Sequence, residues 1–92
     1  MLIEMSNTIL GKNILFLRKK YHISRRGLSC LIGISIYTLK DWEEERMIPI
    51  IDYNQLKRLS EVFNIPGHKL VNNDLEKEYE KPSPKGEGFK TM

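Results

Sequence analysis

The stretch that decides the fold is Ser24-Arg25-Arg26-Gly27-Leu28-Ser29-Cys30-Leu31-Ile32-Gly33-Ile34-Ser35-Ile36-Tyr37-Thr38-Leu39-Lys40-Asp41-Trp42-Glu43. Ser24 and Ser35 each stand before a short run of helix-compatible residues, where a hydroxyl can accept from the orphan N–H groups of a helix's first turn. The first run predicts a helix from Arg25 to Ile32, with Leu28, Leu31 and Ile32 on its apolar side. Gly33 follows directly, as a C-cap with positive φ requires. Ile34 is then an apolar plug in the turn, and Ser35 opens a second helix reaching about Glu44. Leu39 and Trp42, three residues apart, face the core from that second helix. Small Ser29 lies four residues before the glycine, where two closely crossing helices leave little room.

Upstream, Thr8 caps a predicted helix that runs to about Tyr21. Leu10, Ile14 and Leu17 form one apolar stripe at helical spacing, and the basic end at Arg18, Lys19 and Lys20 complements the helix dipole. Ile9, Leu15 and Phe16 make this helix apolar over more than one face, which a second partner surface such as a dimer contact would explain. Downstream, Arg46 to Ile51 reads as a loop around Pro49. Asp52 caps a helix from Tyr53 to Asn64, with Leu56, Leu59 and Phe63 inward, and Ile65-Pro66-Gly67 ends it. Pro66 suits the first position of a short fifth helix, which Leu70 and Val71 pack on the core. No strand alternation is evident. The expected organisation is a loose lead-in at residues 1–7, a helical domain at 8–74 and a mobile polar tail at 75–92. The fold class expected is all-α, a compact bundle of five helices.

Ninety-two residues suffice for one domain. There is no apolar run of about 18 residues to span a membrane, and the N-terminus lacks the layout of a signal peptide. The one cysteine, Cys30, fits a reducing cytoplasm and reads as a packing or surface thiol. Net charge is +3, and it is unevenly placed. Residues 8–74 carry eleven Lys/Arg against seven Asp/Glu, whereas 75–92 carry four of each. The folded part therefore holds the positive charge, which suits a polyanionic partner. His22 and His68 lie far apart with no cysteine or carboxylate at metal-ligand spacing, so no metal site is expected. Gly86 and Gly88 lie in the tail and form no phosphate-cradling loop. No acid–base or nucleophile cluster appears, so neither enzymatic activity, a cofactor nor a small-molecule substrate is expected.

Two capped helices, a glycine turn and an apolar pin, in this order, are the parts of a helix-turn-helix. The chain resembles the phage repressor and Cro-like family of such regulators, the xenobiotic-response-element type, whose fold is the lambda-repressor-like DNA-binding domain. The resemblance runs from about Leu10 to Asp74. It rests on Leu17-Arg18, Ile23-Ser24, Leu28-Ser29, Ile32-Gly33-Ile34-Ser35, Leu39, Trp42-Glu43 and Pro49, and extends through Leu59-Ser60, Phe63-Asn64-Ile65 and Leu70. It implies an internal ion pair between Arg18 and Glu43. It also implies that residues 35–44 are a recognition helix entering the major groove, with Ser35, Ile36, Tyr37, Thr38, Lys40 and Asp41 available to DNA. Their chemistry fits: hydroxyls for phosphates or base edges, an aliphatic for a thymine methyl, an amine for guanine and a carboxylate for a cytosine amine. Arg25 stands where the family commonly has a phosphate-contacting glutamine, and Arg26 and Arg46 are supporting clamps.

The chain departs from the family after Glu43. Glu44 and Glu45 stand where a polar residue and then glycine are usual, which implies a different loop and adds carboxylates near the phosphate path. The stretch from Pro49 to Leu56 is about two residues longer than usual, and Met47, Ile48, Ile50 and Ile51 are expected to be buried against the core or in a dimer partner. The function implied is a cytoplasmic, sequence-specific transcriptional regulator, a repressor that binds double-stranded DNA as a homodimer. The alternative is a protein-interaction module on the same fold, with weak or no DNA binding.

Overall fold

The computed structural model describes residues 2–4 and 8–80, with backbone alone for Leu2–Glu4 and Glu80. The elements in order are β1 (Leu2–Glu4), α1 (Ile9–Lys20), α2 (Arg25–Ile32), α3 (Ile36–Glu43), β2 (Ile50–Asp52), α4 (Tyr53–Phe63), α5 (Gly67–Asn72) and α6 (Leu75–Glu80).

The two serine caps form as their positions dictate. Ser24 Oγ accepts from Gly27 N, and Ser35 Oγ accepts from Tyr37 N. Between them Gly33 takes a left-handed conformation at φ +73°, and the N–H groups of Gly33 and Ile34 both donate to Ser29 O. A side chain at Gly33 would have to tolerate that φ, which is why the turn wants glycine. Asp52 makes a full capping box with Gln55 at the start of α4. Thr8 sits at the cap position of α1 without capping it; its hydroxyl donates instead to Glu45 Oε1 at 3.0 Å, tying the start of α1 to the end of α3.

The core gathers Leu10, Ile14 and Leu17 of α1, Leu28 and Ile32 of α2, Leu39 and Trp42 of α3, and Leu56, Leu59 and Phe63 of α4. Ile51, Leu70 and Leu75 join it from β2, α5 and α6, and Ile34 and Ile65 from the turns that follow α2 and α4. At about 0.8 kcal/mol per buried methylene, these aliphatics supply most of the drive to fold. α1 approaches α3 closely: a Cβ built on Gly11 would lie 2.0 Å from Trp42 O. No side chain fits there, so Gly11 sets the spacing of the helix that carries the site.

Several expectations require correction. The bundle has six described helices, not five, and a two-stranded antiparallel ribbon joins it. Residues 2–4, expected as a loose lead-in, pair with 50–52 in the register Leu2↔Asp52, Ile3↔Ile51, Glu4↔Ile50. Strands of three residues are too short to show alternation. The extra length after Pro49 is this second strand. The helical part continues past residue 74: Leu75 opens α6 and is buried, while residues 81–92 of the expected tail lie outside the described residues. Pro66 is the residue before α5 rather than its first, and Asn64, left-handed at φ +55°, ends α4. Leu31 is exposed at 55 % instead of packing inward. Of the apolar loop, Ile51 and Pro49 are buried, but Met47, Ile48 and Ile50 remain about half exposed within one copy of the chain.

α6 is held by polar side chains of α1 that are themselves buried or paired. Asn13 is fully buried; its Nδ2 donates to Leu70 O and Asn73 O, both at 2.7 Å, and its Oδ1 accepts from Leu75 N. Lys12 Nζ donates to Asp74 Oδ2 at 3.0 Å. Phe16 meets Tyr79 with ring centroids 5.5 Å apart, and Lys20 Nζ lies 4.8 Å from the Tyr79 centroid.

Candidate nucleic-acid interface

α3 presents two unlike faces because its period places Leu39, Trp42 and Glu43 on one side and Tyr37, Lys40 and Glu44 on the other. The inner side is fixed by packing and by one carboxylate. Glu43 is buried, with its side chain 1 % exposed. Arg18 Nε donates to Glu43 Oε2 and Arg18 Nη2 to Oε1, both at 2.8 Å, while Nη1 reaches Ile23 O. This fork-to-fork geometry is the strong form of an ion pair. The bond to Glu43 holds the Arg18 guanidinium above its ordinary pKa, against the opposing effect of burial. The pair implied by the family resemblance therefore exists and joins α1 to α3.

Glu43 also takes a second arginine. Arg25 Nε donates to Glu43 Oε1 at 3.0 Å, and Arg25 Nη2 lies 3.0 Å from the same oxygen. The reading of Arg25 as a phosphate clamp did not anticipate this inward bond. Its signal was present: a residue in the first turn of α2 lies near the arginine–glutamate pair that ties α1 to α3. The arginine keeps about a third of its side chain exposed, so it borders the surface while anchored within.

Of the residues singled out for DNA, Tyr37 is 78 % exposed and Ser35, Lys40 and Arg26 are exposed. Ile36 and Thr38 are half-buried at the base of α3. Between Arg26, Ser29 and Cys30 of α2 and Ser35, Ile36 and Tyr37 of α3 lies an open concavity of about 570 Å³. The remaining two face each other: Arg46 Nη1 stands 4.0 Å from Asp41 Oδ1, and Arg46 Nη2 is 2.9 Å from Glu44 Oε1. Exposed pairs of this kind contribute at most about 1 kcal/mol and exchange partners readily. Seven of the nine residues thus lie on or beside the outward surface of α2 and α3, and Asp41 and Arg46 are engaged with each other at its far end.

Two of the three consecutive glutamates are paired with arginine, and Glu45 keeps an exposed charge. Glu43 is neutralised by two arginines, Glu44 is paired with Arg46, and Glu45 accepts from Thr8. The expected change of loop at Glu45 is also smaller than the lost glycine implied. Glu45 adopts φ +59°, the conformation a glycine would take there, and its N–H donates to Trp42 O as the turn closes.

A family model described as a helix-turn-helix domain matches residues 11–76. That span runs from the first turn of α1 to the first two residues of α6, and the chain belongs to this family. No curated protein matches the chain. Among the described residues no helix is long and apolar enough to cross a membrane, and no three His, Cys, Asp or Glu side chains gather where a metal ion could be held.

Proposed function

We propose that this protein is a sequence-specific DNA-binding transcriptional regulator of the phage repressor and Cro-like type, which represses by occupying its operator in the cytoplasm. The supporting observation is the two-sided build of α3. Its inner face is locked by Leu39, Trp42 and the Arg18–Glu43–Arg25 cluster, and its outer face offers Tyr37 and Lys40 to solvent. A helix about as wide as the major groove enters it end-on only if rigid from behind, since base contacts require fixed donor positions.

Residue roles follow from position. Tyr37 and Lys40 read base edges. Ser35, Ile36, Thr38 and Asp41 border that contact, with Ile36 placed for a thymine methyl. Arg25, Arg26 and Arg46 approach the backbone phosphates on either side. One such module makes few base contacts, so two copies bind half-sites one helical turn apart, about 34–36 Å. Selection of bound duplexes from a random pool tests the reading. A two-fold consensus is the expected result, and recovery of no enriched sequence would overturn it.

A further inference from the structure

The corner where α4, α5 and α6 meet has no role in the helix-turn-helix. Ile65 and Pro66, which follow α4, and Leu75 and Tyr79 of α6 line a cavity of about 380 Å³. Ile65 and Leu75 are buried and make it apolar, and Tyr79 is a half-exposed wall. The Tyr79 ring is held by Phe16, 5.5 Å between centroids, and by Lys20 Nζ, 4.8 Å from the ring centre. Two opposite charges stand in the same lining, Lys69 from α5 and Glu78 from α6, both exposed. We propose that this cavity is an effector site that binds a free α-amino acid with an apolar side chain.

The two charges select the ligand class. An amino acid sets its carboxylate on the Lys69 ammonium and its ammonium on the Glu78 carboxylate, while its side chain covers Ile65, Leu75 and Tyr79. Among the described residues Lys69 and Glu78 make no ion pair with each other. Glu78 is oriented through one oxygen: Oε2 accepts from Asn73 Nδ2 at 2.7 Å, a bond that does not use Oε1. A polyphosphate would meet a single lysine and be repelled by Glu78, and a plain hydrocarbon would leave both charges without a partner. The volume lies near the lower end of the ~300–1,000 Å³ range of small-molecule pockets, as a single amino acid requires. Leu75, Glu78 and Tyr79 belong to α6 and the other lining residues to the end of α4 and to α5, so a bound ligand fastens α6 to the body of the domain. α6 is joined to α1 through Asn13 and Phe16, and α1 carries Arg18, the partner of Glu43 in α3. Occupancy is thereby linked to the stability of the helices behind the outer face of α3.

Titration of the full, isotope-labelled chain with L-phenylalanine and L-leucine, followed by amide chemical shifts, tests this. Saturable shifts centred on Ile65, Lys69, Leu75 and Tyr79 are expected, with a Kd on the order of 1 mM for a ligand this small and a melting temperature raised by a few degrees at saturation. Phenethylamine lacks the carboxylate and 3-phenylpropionate the ammonium, and each should bind several-fold more weakly, since each forfeits one exposed charge contact. K69Q should weaken L-phenylalanine several-fold and leave phenethylamine unchanged; E78Q should weaken L-phenylalanine and leave 3-phenylpropionate unchanged. Both variants replace exposed side chains and should melt within a few degrees of wild type. No saturable shift with either amino acid up to about 20 mM would overturn the assignment. So would one-charge analogues that bind as well as L-phenylalanine, or variants that discriminate like wild type, because the cavity would then be an apolar cleft indifferent to charge. The titration uses the free chain, so its result stands apart from the DNA reading.

Discussion

Glu43 and Glu45 show how single residues carry the site. Glu43 holds two arginines of unequal standing. Arg18 makes the bidentate bond and is the more buried, with 12 % of its side chain exposed against 31 % for Arg25. Removing one partner of a buried pair costs about 3–5 kcal/mol when it leaves the charge alone. Arg25 remains in Arg18→Ala, so a loss near the lower end, about 3 kcal/mol, is expected in thermal or denaturant unfolding. Arg25→Ala leaves the fork intact and should cost about 1 kcal/mol. Equal losses from the two would contradict the ranking. Glu45 holds a left-handed conformation that costs a side-chain-bearing residue roughly 1–2 kcal/mol, against one exposed hydrogen bond from Thr8. Glu45→Gly should therefore raise stability by about 1 kcal/mol, seen as a higher melting temperature. Asn13 is the residue whose role was hardest to foresee. It lies on the Leu10–Leu17 stripe, and a polar residue there signals a buried junction. That its three partners would come from residues 70–75, however, depends on a helix pairing about 60 residues away in sequence. Asn13→Ala strands two carbonyls and one N–H, a loss of about 3 kcal/mol.

The helices of the site were legible because each is written locally. Ser24, Gly33 and Ser35 fix the bounds of α2 and α3 through their own caps, and the Asp52 cap does the same for α4. The ribbon and α6 were not, because both arise from pairing rather than pattern. Ile50–Asp52 becomes a strand only because Leu2–Glu4 lies beside it, and Leu75–Glu80 is polar enough to read as tail until Asn13, Phe16 and Lys20 are seen to hold it. The outward direction of Tyr37 and Lys40 followed from the inward one of Leu39 and Trp42, whereas the inward bond of Arg25 shows only once its first-turn position in α2 is set beside the Arg18–Glu43 pair. The α1–α3 crossing supplies a test at this scale. Alanine favours a helix over glycine by about 1 kcal/mol, but a Cβ at Gly11 meets Trp42 backbone at 2.0 Å, and overpacking of that kind costs about 1–3 kcal/mol. The clash should win: Gly11→Ala is expected to lower the melting temperature and, by tilting α3, to weaken DNA binding more than its stability loss alone explains.

At the scale of the whole molecule, the charge balance of residues 8–74 and the placement of its pairs govern how the protein responds to pH and salt. The hydrogen bond from Lys12 holds the Asp74 carboxyl below its ordinary pKa, and the same contact raises Lys12. A depressed carboxylate contributes stability that is present above its unfolded value and lost as pH falls through its lower folded value. The attachment of α6 to α1 should therefore weaken in acid, below the usual carboxylate range, and again in strong alkali as Lys12 loses its proton; Asp74→Asn should remove the acid limb from the melting-temperature profile. For the complex with DNA, Lys40→Ala should weaken specific binding and relax preference at one base step; a uniform loss across sequences would assign Lys40 to a phosphate instead. The most direct measurement is duplex affinity against salt concentration for the wild-type chain and Tyr37→Ala. If α3 enters the groove, wild-type affinity falls steeply between about 50 and 200 mM salt, as released counterions require. Tyr37→Ala then narrows the gap between specific and random duplex while leaving the slope unchanged. No duplex binding at low salt, or a Tyr37→Ala protein that discriminates as well as wild type, would contradict it.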